Sequence, residues 1–198
     1  MLTRLILAIC ASIIGVTSWA QESVLPYTYV EAGYVRGEAT GVDSQGFRVK
    51  GSKALNDFVY VSASYVSVLS DDPRMSFNGV TINDDVEVDQ LDFGIGVHTV
   101  LDEVPDFVAE INFVQTDVSA GSESERESGY RGAIGFRLPG GENYEVLTMI
   151  NHTRMGSDRE TGFELGARMR VGESNWLGLG FNKTYDLEMF ALDLRLEL

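Results

Sequence analysis

The sequence predicts an all-β protein whose strands close into one antiparallel, up-and-down sheet. Three observations carry that reading: long stretches of two-residue alternation, turn residues between them, and 21 glycines against 4 prolines in 198 residues. Alternation is clearest from Leu91 to His98, from Phe163 to Val171 and from Phe190 to Leu198, where large apolar residues alternate with polar, charged or small ones. A period of two puts the two sets on opposite faces of a strand. Wound as helices, these stretches would scatter their charges around the circumference and leave no apolar stripe to bury.

Composition excludes several classes. With 44% hydrophobic and 23% charged residues the chain is too apolar for disorder, and its length suits one domain. Thirty acidic against 15 basic residues, a net charge of −15, leave no basic footprint for nucleic acid. A single cysteine supports neither a disulfide framework nor a Cys-based zinc site.

Residues 1–20 read as a signal peptide: Arg4, an apolar run from Leu5 to Val16, then Ser18-Trp19-Ala20, with cleavage expected before Gln21. The run falls short of the ~20 apolar residues that span a bilayer as a helix. Lipid attachment at Cys10 is disfavoured, because Ile9 stands where a lipoprotein signal needs a small residue. Cleavage removes Arg4 and takes the net charge from −15 to −16 over residues 21–198.

Ten strands are expected, at 27–36, 46–55, 58–69, 86–100, 107–117, 128–138, 144–154, 161–171, 175–184 and 187–198. Eight is the alternative, if the hairpin from Asn175 to Leu198 is merged differently or the segment at Tyr144 is not a strand. Short connections at 56–57, 102–106, 139–143 and 172–174 alternate with longer ones at 38–45, 70–85, 118–127 and 155–160, and a tight link follows at Tyr185-Asp186. An up-and-down barrel of even strand number gathers its short turns at one end and its long loops at the other, as transmembrane barrels do. Pro26, Pro73, Pro105 and Pro139 all fall outside the expected strands, as the amide donors of a closed sheet require.

Facing decides the class of barrel. The apolar set holds Val30, Phe47, Val49, Val59, Val61, Leu91, Phe93, Ile95, Ile111, Phe113, Ile134, Phe136, Phe163, Leu165, Leu177, Leu179, Leu192 and Leu194, which would overfill a small lumen. The opposite set mixes glycines with long charged side chains, as a narrow polar interior demands. The sequence therefore predicts a transmembrane β-barrel, apolar side outward. Its lumen carries Arg48, Lys50, Arg131, Arg137, Arg168, Arg170 and Arg195 against Glu31, Asp92, Glu110, Glu145, Glu164, Asp193 and Glu197, seven of each sign. Confined and balanced, these are expected to pair across the barrel and block it. Aromatics are expected as two boundary girdles, Tyr27, Phe58, Tyr60, Phe107, Tyr144 and Trp176 at the short-turn end and Tyr34, Tyr65, Phe113, Tyr130, Phe181 and Tyr185 at the other.

A leader, a first strand reading Tyr27-Thr28-Tyr29-Val30-Glu31-Ala32-Gly33-Tyr34, repeated glycine-bearing amphipathic strands and a final strand reaching Leu198 together resemble the small outer-membrane β-barrels of the OmpA/OmpX-like kind. The resemblance covers residues 21–198. It implies a bacterial outer membrane, contact with outer-membrane lipid and lipopolysaccharide, and insertion by the barrel assembly machinery. Familiar members have eight strands rather than ten, and an aromatic is usual where Leu198 stands. A monomer without cofactor or metal centre is expected, its termini periplasmic and its long acidic loops outside.

Three functions follow in order: a non-catalytic surface or envelope role, a narrow porin-like channel, and a lipid- or peptide-modifying enzyme. The enzyme reading needs His152 to work as a base with Asp158 or Glu160, and Ser157 lacks a nucleophile's context. His98 is expected to hydrogen-bond inside the lumen. Asp71-Asp72, Asp84-Asp85 with Glu87 and Asp89, and Glu123, Glu125 and Glu127 offer hard oxygen ligands to divalent cations that bridge to lipopolysaccharide.

Overall fold

A computed structural model describes residues 25–39, 42–70, 75–77, 80–82, 86–99, 105–184 and 187–198. The leader, its cleavage site, Cys10, Asp71-Asp72, Pro73, Asp84-Asp85 and Tyr185-Asp186 lie outside them. The strands are β1 (Tyr29–Ala39), β2 (Val42–Ala54), β3 (Val59–Ser70), β4 (Met75–Phe77), β5 (Val80–Ile82), β6 (Val86–His98), β7 (Asp106–Ala120), β8 (Glu123–Pro139), β9 (Tyr144–Met155), β10 (Asp158–Arg170), β11 (Asn175–Thr184) and β12 (Leu187–Glu197). Ten of them close into an antiparallel barrel, β1 pairing with both β2 and β12, while β4 and β5 form a separate hairpin between β3 and β6.

Closure requires a fixed stagger between strands. A row of paired residues leaves β8 at Arg137 and runs through Leu147, Gly166, Gly180, Ala191, Val35, Gly46, Val68, Val88 and Val118. It returns to β8 at Glu125, 12 residues from its start. Ten strands with that stagger tilt by roughly 40°, the range of membrane barrels.

The outer surface is apolar over a continuous band. Leu179 is 67% exposed, Phe190 65% and Ile150 60%. Five successive outward positions carry the band on β8 (Tyr130 to Leu138), on β10 and its end (Phe163 to Val171) and on β12 and its end (Phe190 to Leu198). At ~3.3 Å per residue and this tilt the band is roughly 20 Å tall, close to the hydrocarbon-facing band of a membrane barrel. A water-soluble monomer does not expose so large an apolar surface.

Above the band the chain stays in strand. In the expected loops at 38–45, 118–127 and 155–160 the strands instead stay paired, β1 with β2 as far as Ala39 and Val42, and the other two hairpins up to the two-residue turns Gly121-Ser122 and Gly156-Ser157. Gly121 and Gly156 have φ of 58° and 54°, the positive value that a tight hairpin turn needs and other residues resist. Glu123, Glu125 and Glu127 thus belong to β8 and not to a loop. Backbone pairing does not need apolar side chains, so the ladder outlasts the alternation that betrayed it. Pro139 likewise closes β8 instead of lying beyond it.

Inside, the hairpin end of the lumen is apolar, against the expectation of a polar interior throughout. Val35, Val66, Val68, Val86, Val88, Leu187, Met189 and Ala191 pack into one buried cluster. Tyr27 (5% exposed), Tyr60 (3%) and Trp176 (2%) also turn inward, so they leave the lower girdle expected of them. The outer ring at that end keeps Phe58, Phe107 and Tyr144, joined by Phe136.

Candidate functional site

The inward face of each strand repeats every second residue, so β1, β2, β8, β9, β10 and β12 each aim one or two charges into the same cluster. Glu31, on β1 and fully buried, accepts hydrogen bonds from Arg168 Nε (2.9 Å), Arg195 Nε (2.9 Å) and Arg48 Nη2 (3.3 Å). Glu145, on β9, accepts from Arg137 Nη2 (2.6 Å), Arg195 Nη1 (3.0 Å) and Arg168 Nη1 (3.1 Å). Arg168 and Arg195 therefore bridge two carboxylates across the barrel. Arg48 makes a forked contact with Asp193, which is the geometry a guanidinium and a carboxylate favour. The Arg195 guanidinium also lies over the Tyr29 ring at 3.8 Å.

Glycines make room for this cluster. A Cβ at Gly178 would stand 3.0 Å from Arg168 Cγ, and one at Gly180 would stand 3.3 Å from Arg48 Nη2.

The other charges form smaller groups. Arg131 Nη2 lies 3.1 Å from Asp92, and Lys50 Nζ lies 3.9 Å from Glu164. Arg170 Nη2 pairs with Glu197 at 3.2 Å near the lower rim, where Trp176 Nε1 donates to the same carboxylate at 2.6 Å. Glu110 is held by the Tyr60 hydroxyl and Asn112 instead of a cation. The fourteen charges expected inside thus fall into one six-strand cluster, three outlying pairs and Glu110, and buried Asp106 joins them near the lower mouth.

Sequence reasoning passed over the lumen's aromatic and amide residues. Tyr27 stacks on His98 (ring centroids 3.6 Å apart), lies under Arg137 at 4.3 Å and donates to Asp106 at 3.0 Å. Both guanidinium termini of Arg137 donate to Pro26 O at 3.1 Å, so the segment before β1 crosses the lower mouth. His98 is buried there, 3.7 Å from Asp106. Strand parity was the available signal: Tyr60 lies between outward Val59 and Val61, and Trp176 precedes outward Leu177.

Between the apolar cluster above and the Tyr27 closure below remains a cavity of about 80 Å³, lined by Lys50, Glu110, Asn112, Arg131 and Glu164 among others. It has room for a few waters. A Cβ on Gly96 would fall on the Tyr60 ring, which is part of this wall. Gly96→Val is expected to displace Tyr60 and destabilise the barrel by about 1–3 kcal/mol, as overpacking does. The urea midpoint of the refolded protein measures it, and an unchanged midpoint would contradict the placement.

His152 points outward from β9, with Nδ1 3.0 Å from Thr161 Oγ1. Its cross-strand partner is Thr161, whereas Glu160 pairs with Thr153 and Asp158 with Met155, both on the inward face. The two faces of the hairpin therefore separate the imidazole from the acids expected to orient it. Ser157 hydrogen-bonds to Asp158 at 3.3 Å. Among the described residues no group of three or more His, Cys, Asp or Glu is arranged to hold a metal ion.

An enclosed ionic lumen inside an apolar outer band is decisive for the architecture. The fold is that of a small outer-membrane β-barrel. No family model and no curated protein matches the chain. Among solved structures it is similar to Ail, the attachment invasion locus protein of Yersinia pestis, at 13% identity over 85% of this chain and 97% of that one, with a TM-score of 0.39. Ail in complex with the heparin analogue sucrose octasulfate gives 13% identity, the same coverages and a TM-score of 0.43. The translocator domain of the autotransporter NalP from Neisseria meningitidis gives 6% identity over 98% and 93%, with a TM-score of 0.41.

Proposed function

We propose that this chain is a non-catalytic protein of the bacterial outer membrane, which holds a closed barrel in the bilayer and presents its projecting hairpins to the outside as an interaction surface. The observation that carries the reading is the filled lumen: Glu31 and Glu145 tie β1, β8, β9, β10 and β12 together through shared arginines, with apolar packing above and Tyr27 below. A solute pathway would have to break several buried ion pairs. The β7–β8 hairpin supplies the surface, because β8 runs six residues past Gly129, its last residue paired with β9 (to Met155). Its Asp117–Arg126 pair and its glutamates stand clear of the apolar band. Monomeric state and insertion by the assembly machinery belong to the same proposal.

The wild-type barrel is expected to insert into planar bilayers without steady conductance. Steady unit steps would overturn the closed reading and favour the narrow channel, for which the cavity beside Lys50 and Glu164 is the supporting observation. Failure of the refolded chain to float with vesicles would overturn the membrane reading itself.

A further inference from the structure

We infer that the outer face of the β9–β10 hairpin, immediately above the apolar band, binds the phosphate of an anionic membrane lipid through Arg154 and Arg159. The inference rests on the membrane reading and deepens it by naming a ligand chemistry and its residues. Arg154 and Arg159 are direct cross-strand partners, both exposed and both outward. Like charges placed opposite each other in a sheet destabilise it. Among the described residues neither makes an ion pair, in a chain with twice as many acids as bases.

The other outward cations above the band, among the described residues, differ. Arg126 is held by Asp117 (Nη2 to Oδ2, 2.8 Å) and Lys183 by Glu188 (3.0 Å). Arg36 has Gln45 and Phe190 as its cross-strand neighbours, not a second cation. Among the described residues, only at 154 and 159 do two guanidinium forks sit side by side without a carboxylate. Two such forks match a phosphate, which each can engage with paired donors.

The surroundings suit a lipid better than a free ion. Tyr130, 64% exposed, is Arg154's partner on β8 and marks the boundary where amphipathic rings settle. One row below, Gly132 faces His152, and a Cβ there would meet nothing within 4 Å, so a shallow notch opens beneath the arginines. Below the notch Ile134, Ile150 and Phe163 offer an apolar surface to acyl chains. Phosphate and chains of one amphiphile therefore find complementary surfaces in the order a leaflet presents them.

The test uses the refolded mature barrel in zwitterionic micelles, read by native mass spectrometry, with diphosphorylated lipid A, the same lipid without phosphates, and inorganic phosphate as probes. The phosphorylated lipid is expected to bind at least about tenfold more tightly than the dephosphorylated one. Arg154→Gln and Arg159→Gln are each expected to weaken it by about tenfold, as loss of one charge-assisted contact does, whereas Arg36→Gln, at an outward arginine flanked by Gln45 and Phe190, leaves it unchanged. Equal binding of the two lipids, or of wild type and the arginine variants, would overturn the inference. Inorganic phosphate that competes at the lipid's own concentration would overturn the lipid as source. Vesicle flotation and heat-modifiable gel migration separate the outcomes: a barrel that passes both but shows no phosphate preference fails here alone.

Discussion

Glu31→Gln is expected to lower the stability of the barrel by about 3–5 kcal/mol, because it strips a buried carboxylate from arginines that remain enclosed. Arg168 and Arg195 would each keep Glu145, but the bond each makes to Glu31 through Nε would lose its charged acceptor. Arg48 would keep Asp193. The loss appears as a lower urea midpoint for protein refolded into vesicles. Glu188→Gln, which breaks an exposed pair with Lys183, is expected to change stability by only about 0–1 kcal/mol. Similar midpoints for the two variants would show that the lumen charges are well solvated and the barrel open. Adding Arg195→Gln to Glu31→Gln should cost less than the two single losses together, since both remove the same contact.

Leu179→Arg is expected to cost about 2–4 kcal/mol in a bilayer, the range for a basic residue near the midplane of a barrel's lipid face. Leu179 lies midway between Leu177 and Phe181 on β11 and beside Leu192 and Ala167 on the neighbouring strands, so a guanidinium there has no polar partner at that depth. Glu125→Arg, above the band on β8, is expected to change stability little. Folded fraction against urea, followed by heat-modifiable migration, distinguishes the two. A neutral Leu179→Arg would mean that the apolar band does not meet hydrocarbon.

Strand faces were readable from local pattern alone. In the stretch from Leu91 to His98, parity puts Phe93, Ile95 and Val97 outward and Asp92 and His98 inward, and the structure has them so. Strand ends were readable only within the apolar band. There a side chain's polarity reports its solvent, while above the band both faces of β8 meet water and Glu123 to Ser128 lose the alternation without losing the ladder. Aromatic type misled at Tyr27, Tyr60 and Trp176, because one amphipathic ring serves equally at a lipid boundary and in a polar lumen.

The sequence by itself determined that each strand has one apolar face and one polar face, and which charged residues share the polar one. It did not determine which arginine meets which carboxylate. Glu31 and Arg168 are 137 residues apart and share no local pattern. Their meeting depends on strand order and on the 12-residue stagger at closure, which accumulates from the registers of ten hydrogen-bonded ladders. Those registers are properties of the closed sheet as a whole, and they alone make Glu31 and Glu145 the two centres of the lumen.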